Sequence, residues 1–109
     1  MKYLLKNIDE FLDSGKDNFK KKRYNVAVSD FFKAIVISCD FILYRAAKII
    51  PKNHNDRFYL LKKYFTDIYQ EVSKLFKLYV QSYNLRLDKK DVIVVMNYAN
   101  GLRNKINKE

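Results

Sequence analysis

The sequence predicts an all-α fold, a four- or five-helix up-and-down bundle forming one domain over residues 1–109, and three observations carry that expectation. Apolar residues recur at a helical spacing along nearly the whole chain. Only two glycines and one proline interrupt it, and helix interiors exclude those residue types most strongly. A β-sandwich or barrel of this length needs turn signals about every ten residues, and they are missing. The nine tyrosines and eight phenylalanines offer bulky filling for a core. A chain this short buries only about two-thirds of the surface it exposes when unfolded, so a second hydrophobic surface would add to its stability.

The first helix is expected from about Lys2 to Phe19, where Tyr3, Leu4, Ile8, Phe11, Leu12 and Phe19 keep the helical period. Asp9, Glu10, Asp13 and Asp17 face away. Ser14-Gly15 is a weak point in this pattern, because glycine costs about 1 kcal/mol against alanine in a helix. Lys20-Lys21-Lys22-Arg23 is the densest charge run and falls where cations complement the helix dipole.

The second helix runs from Tyr24 or Asn25 to Ile50, with Asn25 as its expected cap. It is apolar nearly all round, so it is either the buried spine of the bundle or keeps one face for a second subunit. Asp30, Lys33, Asp40, Arg45 and Lys48 interrupt it, and such charges are costly in a membrane. Cys39 lies in this apolar stretch and reads as a reduced core residue.

Pro51 stops the helix, and the loop from Pro51 to Asp56 leads to a third, capped by Asn55 or Asp56. Phe58, Leu60, Leu61, Tyr64 and Phe65 mark that helix. Thr66-Asp67 either continues it or starts a fourth, whose apolar spacing from Ile68 to Tyr83 runs to about Asn84. Asp88 opens the last helix through a capping-box variant with Asp91, and Val92, Val95, Met96, Ala99, Leu102 and Ile106 make its buried stripe.

The charge pattern points to polyanions. The formal net charge is +10, an excess that favours nucleic acid, anionic membrane or acidic protein. Lysines number 17 against 5 arginines, whereas bidentate phosphate recognition favours arginine. Several enzyme classes are excluded. His54 is the only histidine, so a His-rich metal site cannot form, and there is no CxxC, HExxH, GxGxxG or phosphate-cradling loop. His54 itself is expected to be a solvated loop residue near a helix start. No cofactor or metal is implied. The N-terminal apolar run is too short for a signal peptide, and the cytoplasm, without membrane contact, is the expected compartment.

Three segments resemble the HEPN superfamily of small helical bundles. They are Tyr24-Asn25-Val26-Ala27-Val28 with Phe32-Lys33-Ala34-Ile35, then Pro51 through His54 to Arg57 with Leu60-Leu61, then Leu78 to Asn84 with Asp91-Val92. The resemblance implies a bundle that dimerises, here through the second helix, and pairs with a companion such as a minimal nucleotidyltransferase. Ribonuclease members carry Arg, four to six residues, then His on the fourth helix. The positions that best align are Lys74 and Tyr79, and Arg86 has no His after it. Tyrosine, with a pKa near 10 against about 6.5 for histidine, serves acid–base chemistry poorly at neutral pH.

The resemblance and charge together imply a non-catalytic HEPN-like binding module that contacts RNA or a nucleotide. Its candidate binding residues are Lys20, Lys21, Lys22, Arg23, Lys74, Lys77, Tyr79, Arg86, Lys89 and Lys90. If Lys74 and Tyr79 hold the family's active positions, they share one cleft. The alternatives are a divergent HEPN ribonuclease of a toxin–antitoxin type system and a sequence-independent nucleic-acid-binding bundle.

Overall fold

Cross-helix contacts set the direction of each helix in the computed structural model, which describes residues 2–108. The helices are α1 (Lys2–Lys20), α2 (Tyr24–Ala47), α3 (His54–Tyr64), α4 (Thr66–Gln81) and α5 (Lys89–Lys108). Ser14 and Asn18 of α1 reach Asp30 of α2, and Phe19 lies beside Tyr24. These two helices therefore form an antiparallel hairpin. Asn25 meets Ser82 while Phe32 stacks on Tyr79, so α4 runs against α2. Asn25 also meets Leu87, and Arg45 meets the Ile106 carbonyl, so α5 runs with α2. The four long helices thus alternate up and down. The short α3 lies antiparallel on α4, with His54 near Tyr79 and Phe58 near Tyr69.

The spine of this bundle is α2, which touches all four other helices. It buries Ala27, Val28, Phe31, Phe32, Ala34, Ile35, Cys39, Ile42 and Leu43. Against them pack Ile8 and Leu12 of α1, Leu61 of α3, Val72 and Leu75 of α4, and Val92, Val95 and Leu102 of α5. Each such large side chain contributes about 1.5–3 kcal/mol on burial. The radius of gyration, 13.3 Å, matches the roughly 13 Å expected of a compact domain this long. No described helix is long and apolar enough to cross a membrane.

Local details depart from the sequence expectations in instructive ways. Ser14 and Gly15 do not break α1. Gly15 is buried because the Phe31 ring lies 2.7–2.9 Å from where a Cβ would stand. The glycine is there for close approach. Ser14 Oγ and Asn18 Nδ2 hold the buried Asp30 carboxylate at 2.7 and 3.0 Å. Asn25 does not cap α2: the cap position is Arg23, which makes no side-chain cap bond. Lys22, with φ 60°, makes the left-handed turn between α1 and α2.

The α3 cap is neither Asn55 nor Asp56 but Asn53, whose Oδ1 accepts from the Asp56 N–H at 2.9 Å. Asp56 in turn accepts from the Lys52 N–H at 3.0 Å. The chain breaks at Phe65, so α4 is a separate helix. Asp88 and Asp91 form the expected reciprocal box, at 3.1 and 2.9 Å.

Candidate functional site

A single amide builds one end of the bundle. Asn25 Nδ2 donates to the carbonyls of Ser82 (2.9 Å) and Leu85 (2.5 Å), and its Oδ1 accepts from the Leu87 N–H at 3.0 Å. The start of α2 is thereby fastened to the α4–α5 connection. Two basic segments far apart in sequence come to the same end of the bundle as a result: Lys20, Lys21, Lys22 and Arg23 just before Asn25, and Arg86, Lys89 and Lys90 around Leu87. All seven side chains are exposed. Lys21 pairs with Asp17 at 2.9 Å, which holds the Asp17 carboxyl below its usual range. Lys89 and Lys90 occupy the first turn of α5, where the helix dipole disfavours cations, so helix stability does not account for them. Lys74 and Lys77 lie on α4 away from this end, and Lys74 is 3.4 Å from Glu71.

Lys74 and Tyr79 do not share a cleft. They stand five positions apart, with four residues between them, on a helix of 3.6 residues per turn, which turns them to different faces. Tyr79 instead lines a cleft of about 390 Å³. Its floor is Phe32, Lys33, Val36 and Ile37 of α2, and α1 contributes Phe11. Asn53, His54 and Arg57 close it from the start of α3. A second cleft of about 310 Å³ shares His54 and is lined by Phe58, Tyr69 and Phe76.

The cleft is organised by a chain of three side chains. Arg57, only 8% exposed, donates from Nε to Asp40 Oδ1 at 2.7 Å and from Nη2 to Oδ2 at 3.1 Å. Its Nη1 lies 3.0 Å from His54 Nδ1. A guanidinium has no acceptor and keeps its proton, so His54 Nδ1 accepts and the ring proton sits on Nε2. Burial, then the Arg57 charge, lower the His54 pKa from its ordinary value, with Asp40 opposing. His54 is therefore a neutral donor at pH 7. It is not a free loop residue: it opens α3, exposed on one side and bonded on the other.

Tyr79 is also unsuited to proton transfer. Its hydroxyl bonds that of Tyr83 at 2.9 Å, and this bond, followed by burial, raises its pKa to about 12. Its ring stacks on Phe32 at 4.8 Å. Cys39, buried as expected, has its thiol pushed up to about 12, chiefly by burial.

Asp40, Arg57, Phe11 and Lys33 stand in the sequence as core, charge-break or resemblance positions, and none of them was expected at a site. A signal for the first two existed. Arg57 stands on the apolar stripe of Leu60 and Leu61, and Asp40 stands between Cys39 and Phe41. Opposite charges on two apolar faces are what a buried ion pair requires. Elsewhere, an open groove of about 640 Å³ between α1 and α5 is lined by Arg103, which grips both Asp9 oxygens at 2.7 and 3.2 Å. Among the described residues no group of three or more His, Cys, Asp or Glu side chains is placed to hold a metal ion. Comparison with protein-family models, curated proteins and solved structures finds no match to the chain.

Proposed function

We propose that the chain is a non-catalytic, HEPN-like binding module that holds RNA at the basic end of the bundle, pairs with a second copy and serves a companion such as a minimal nucleotidyltransferase. The observation that carries the RNA reading is the Asn25 clamp. It ties the start of α2 to the α4–α5 connection and so brings the exposed Lys20–Arg23 and Arg86, Lys89 and Lys90 to one end of the bundle. Like charges brought to one end of the bundle favour a polyanion, since each phosphate contact releases a counterion. Lysine in place of arginine, and the lack of a groove-reading helix, favour sequence-independent contact.

The non-catalytic part draws on the cleft. Acid–base catalysis near pH 7 needs a group that exchanges its proton there. His54 is held neutral with its lone pair turned to Arg57, and the Tyr79 hydroxyl titrates far above neutrality. The companion and the second copy rest on the HEPN resemblance. Much of the α2 surface such a pairing would use is covered by the other helices; Val26 near the start of α2, and Val80, Tyr83 and Leu85 at and after the end of α4, are exposed apolar side chains.

The test is labelled single-stranded RNA in a binding assay over a salt series, with cleavage followed in parallel. Wild type should bind with affinity that falls steeply as salt rises, and should not cut. Charge reversal of Lys20, Lys21 and Lys22 to Glu should weaken binding and flatten the salt slope, by about 0.7 per lost phosphate contact. Binding that ignores both salt and this reversal would sink the reading. Cleavage by wild type, lost in Tyr79→Phe, would move the protein to the ribonuclease class.

A further inference from the structure

We infer that the two aromatic clefts flanking His54 form a paired base-binding site, in which two successive unstacked bases of single-stranded RNA take one cleft each and the phosphate between them meets His54 Nε2–H. This rests on the RNA reading above and names where the bases go.

The chemistry of the lining carries the inference. Rings make up much of both clefts, Phe11, Phe32 and Tyr79 in one and Phe58, Tyr69 and Phe76 in the other. Every base has a π-face, so such surfaces accept single strands without regard to sequence. The volumes, about 390 and 310 Å³, lie at the lower end of the 300–1,000 Å³ typical of ligand sites. They suit one ring system each.

The polar groups around the clefts are mostly donors. Lys33 Nζ stands 5.7 Å from the Phe11 ring centroid in the first, and Lys62 Nζ 5.7 Å from that of Tyr69 beside the second. Asn53 spends its carbonyl oxygen on the α3 cap, which leaves its amide N–H groups. The Asp40 carboxylate has both oxygens engaged by Arg57, and that of Asp56 accepts from the Lys52 N–H. Arg57 fixes the His54 tautomer so that a donor stands where the clefts meet. A planar ring system with a π-face and acceptor groups, joined to an anion, fits this pattern, and a strand of RNA repeats that unit.

The clefts are also continuous with the basic end. The ring of Tyr79 meets that of Tyr83 edge-on at 5.6 Å. Tyr83 is 74% exposed and adjoins Ser82, which Asn25 grips. A strand leaving the clefts along α4 therefore passes a further ring and arrives among Lys20–Arg23 and Arg86.

The test compares uridine dinucleotide (UpU), uridine monophosphate and a longer uridine oligomer by chemical-shift mapping on labelled protein. UpU should shift resonances of Phe11, Lys33, His54 and Tyr69, and should bind about tenfold or more tighter than the monophosphate, since a second stacked base adds that much. Ser73→Trp, at a half-buried position in the second cleft, should reduce UpU to monophosphate affinity while the monophosphate still shifts Phe11 and Lys33 of the first cleft, which shows that the variant is folded. Lys33→Glu should weaken both ligands. UpU no tighter than the monophosphate, or UpU binding indifferent to Ser73→Trp, overturns the pairing. If decanoate shifts the cleft resonances and UpU does not, the clefts belong to an acyl ligand and the proposal fails. Oligomer binding confined to the basic end also overturns it while the RNA reading stands. Absence of oligomer binding removes both.

Discussion

Arg57 Nη1 lies 3.0 Å from His54 Nδ1, so the guanidinium donates and the imidazole accepts. The consequence is a histidine with a fixed tautomer. Nitrogen-resolved spectra at pH 7.5 should show His54 protonated on Nε2; an Nδ1–H pattern would contradict the assignment of its donor face.

The same contact makes stability depend on pH in a stated direction. The folded pKa of His54 is depressed, with burial and Arg57 lowering it and Asp40 opposing. The folded protein therefore binds fewer protons at this site than the unfolded chain, whose histidine titrates near 6.5. The contribution is fully present above that pH and is lost as pH falls through the folded value. Melting temperatures taken from pH 7.5 down to 5 should fall more for wild type than for His54→Gln, whose carbonyl oxygen can still accept from Arg57. Equal falls would show that other groups govern the acid limb.

Breaking the Asp40–Arg57 pair should be expensive, and replacing it should not be. Arg57→Ala leaves a carboxylate largely withdrawn from solvent without its partner, a loss on the order of 3–5 kcal/mol. The double change Asp40→Leu with Arg57→Met removes both charges and should cost far less, because desolvation offsets much of the pair's attraction. Urea midpoints of the two variants decide it; equal losses would mean the pair does not behave as a buried one.

Asn25→Ala should loosen one end of the molecule more than its middle. Three bonds to Ser82, Leu85 and Leu87 disappear, a loss of roughly 2–4 kcal/mol at about 1 kcal/mol each. Amide exchange should quicken across residues 82–87, and RNA affinity should drop because the two basic segments part. Unchanged exchange there would rule out the clamp.

Gly15→Ala should destabilise although alanine is the better helix former. The added methyl meets a buried Phe31 ring at under 3 Å. Overpacking of this kind costs about 1–3 kcal/mol, against about 1 kcal/mol gained in propensity. A raised melting temperature would mean the ring yields easily.

Introducing Lys74→Arg and Tyr79→His together should yield no ribonuclease activity, since the two positions face different sides of α4. Cleavage of labelled RNA by this variant would show that the faces converge in solution.

The helical stretches, the Asp88–Asp91 box and the apolar setting of Cys39 were determined by the sequence alone, because each depends on residues within a few turns of one another; the end of α2 was not, since the helix stops at Ala47 with Lys48 in the left-handed conformation, short of the expected Ile50–Pro51 boundary. Helical period and capping chemistry are local, and local patterns can be read from a string. The uses of Asn25, Gly15, Asp40, Arg57 and His54 were decided by tertiary structure. Asn25 reads as a cap from its neighbours, yet its partners lie 57–62 residues away. Gly15 reads as a weak point until Phe31 of the next helix is set against it. The HEPN resemblance paired Lys74 with Tyr79, and the turn of α4 sends them apart. His54 reads as a solvated loop residue, and only the approach of α3 to α2 brings Arg57 onto Asp40 and so aligns the imidazole. The physical reason is common to all of them: a helix's period says which face is apolar, but the depth and register at which two faces meet are set by side-chain packing between helices far apart in the chain.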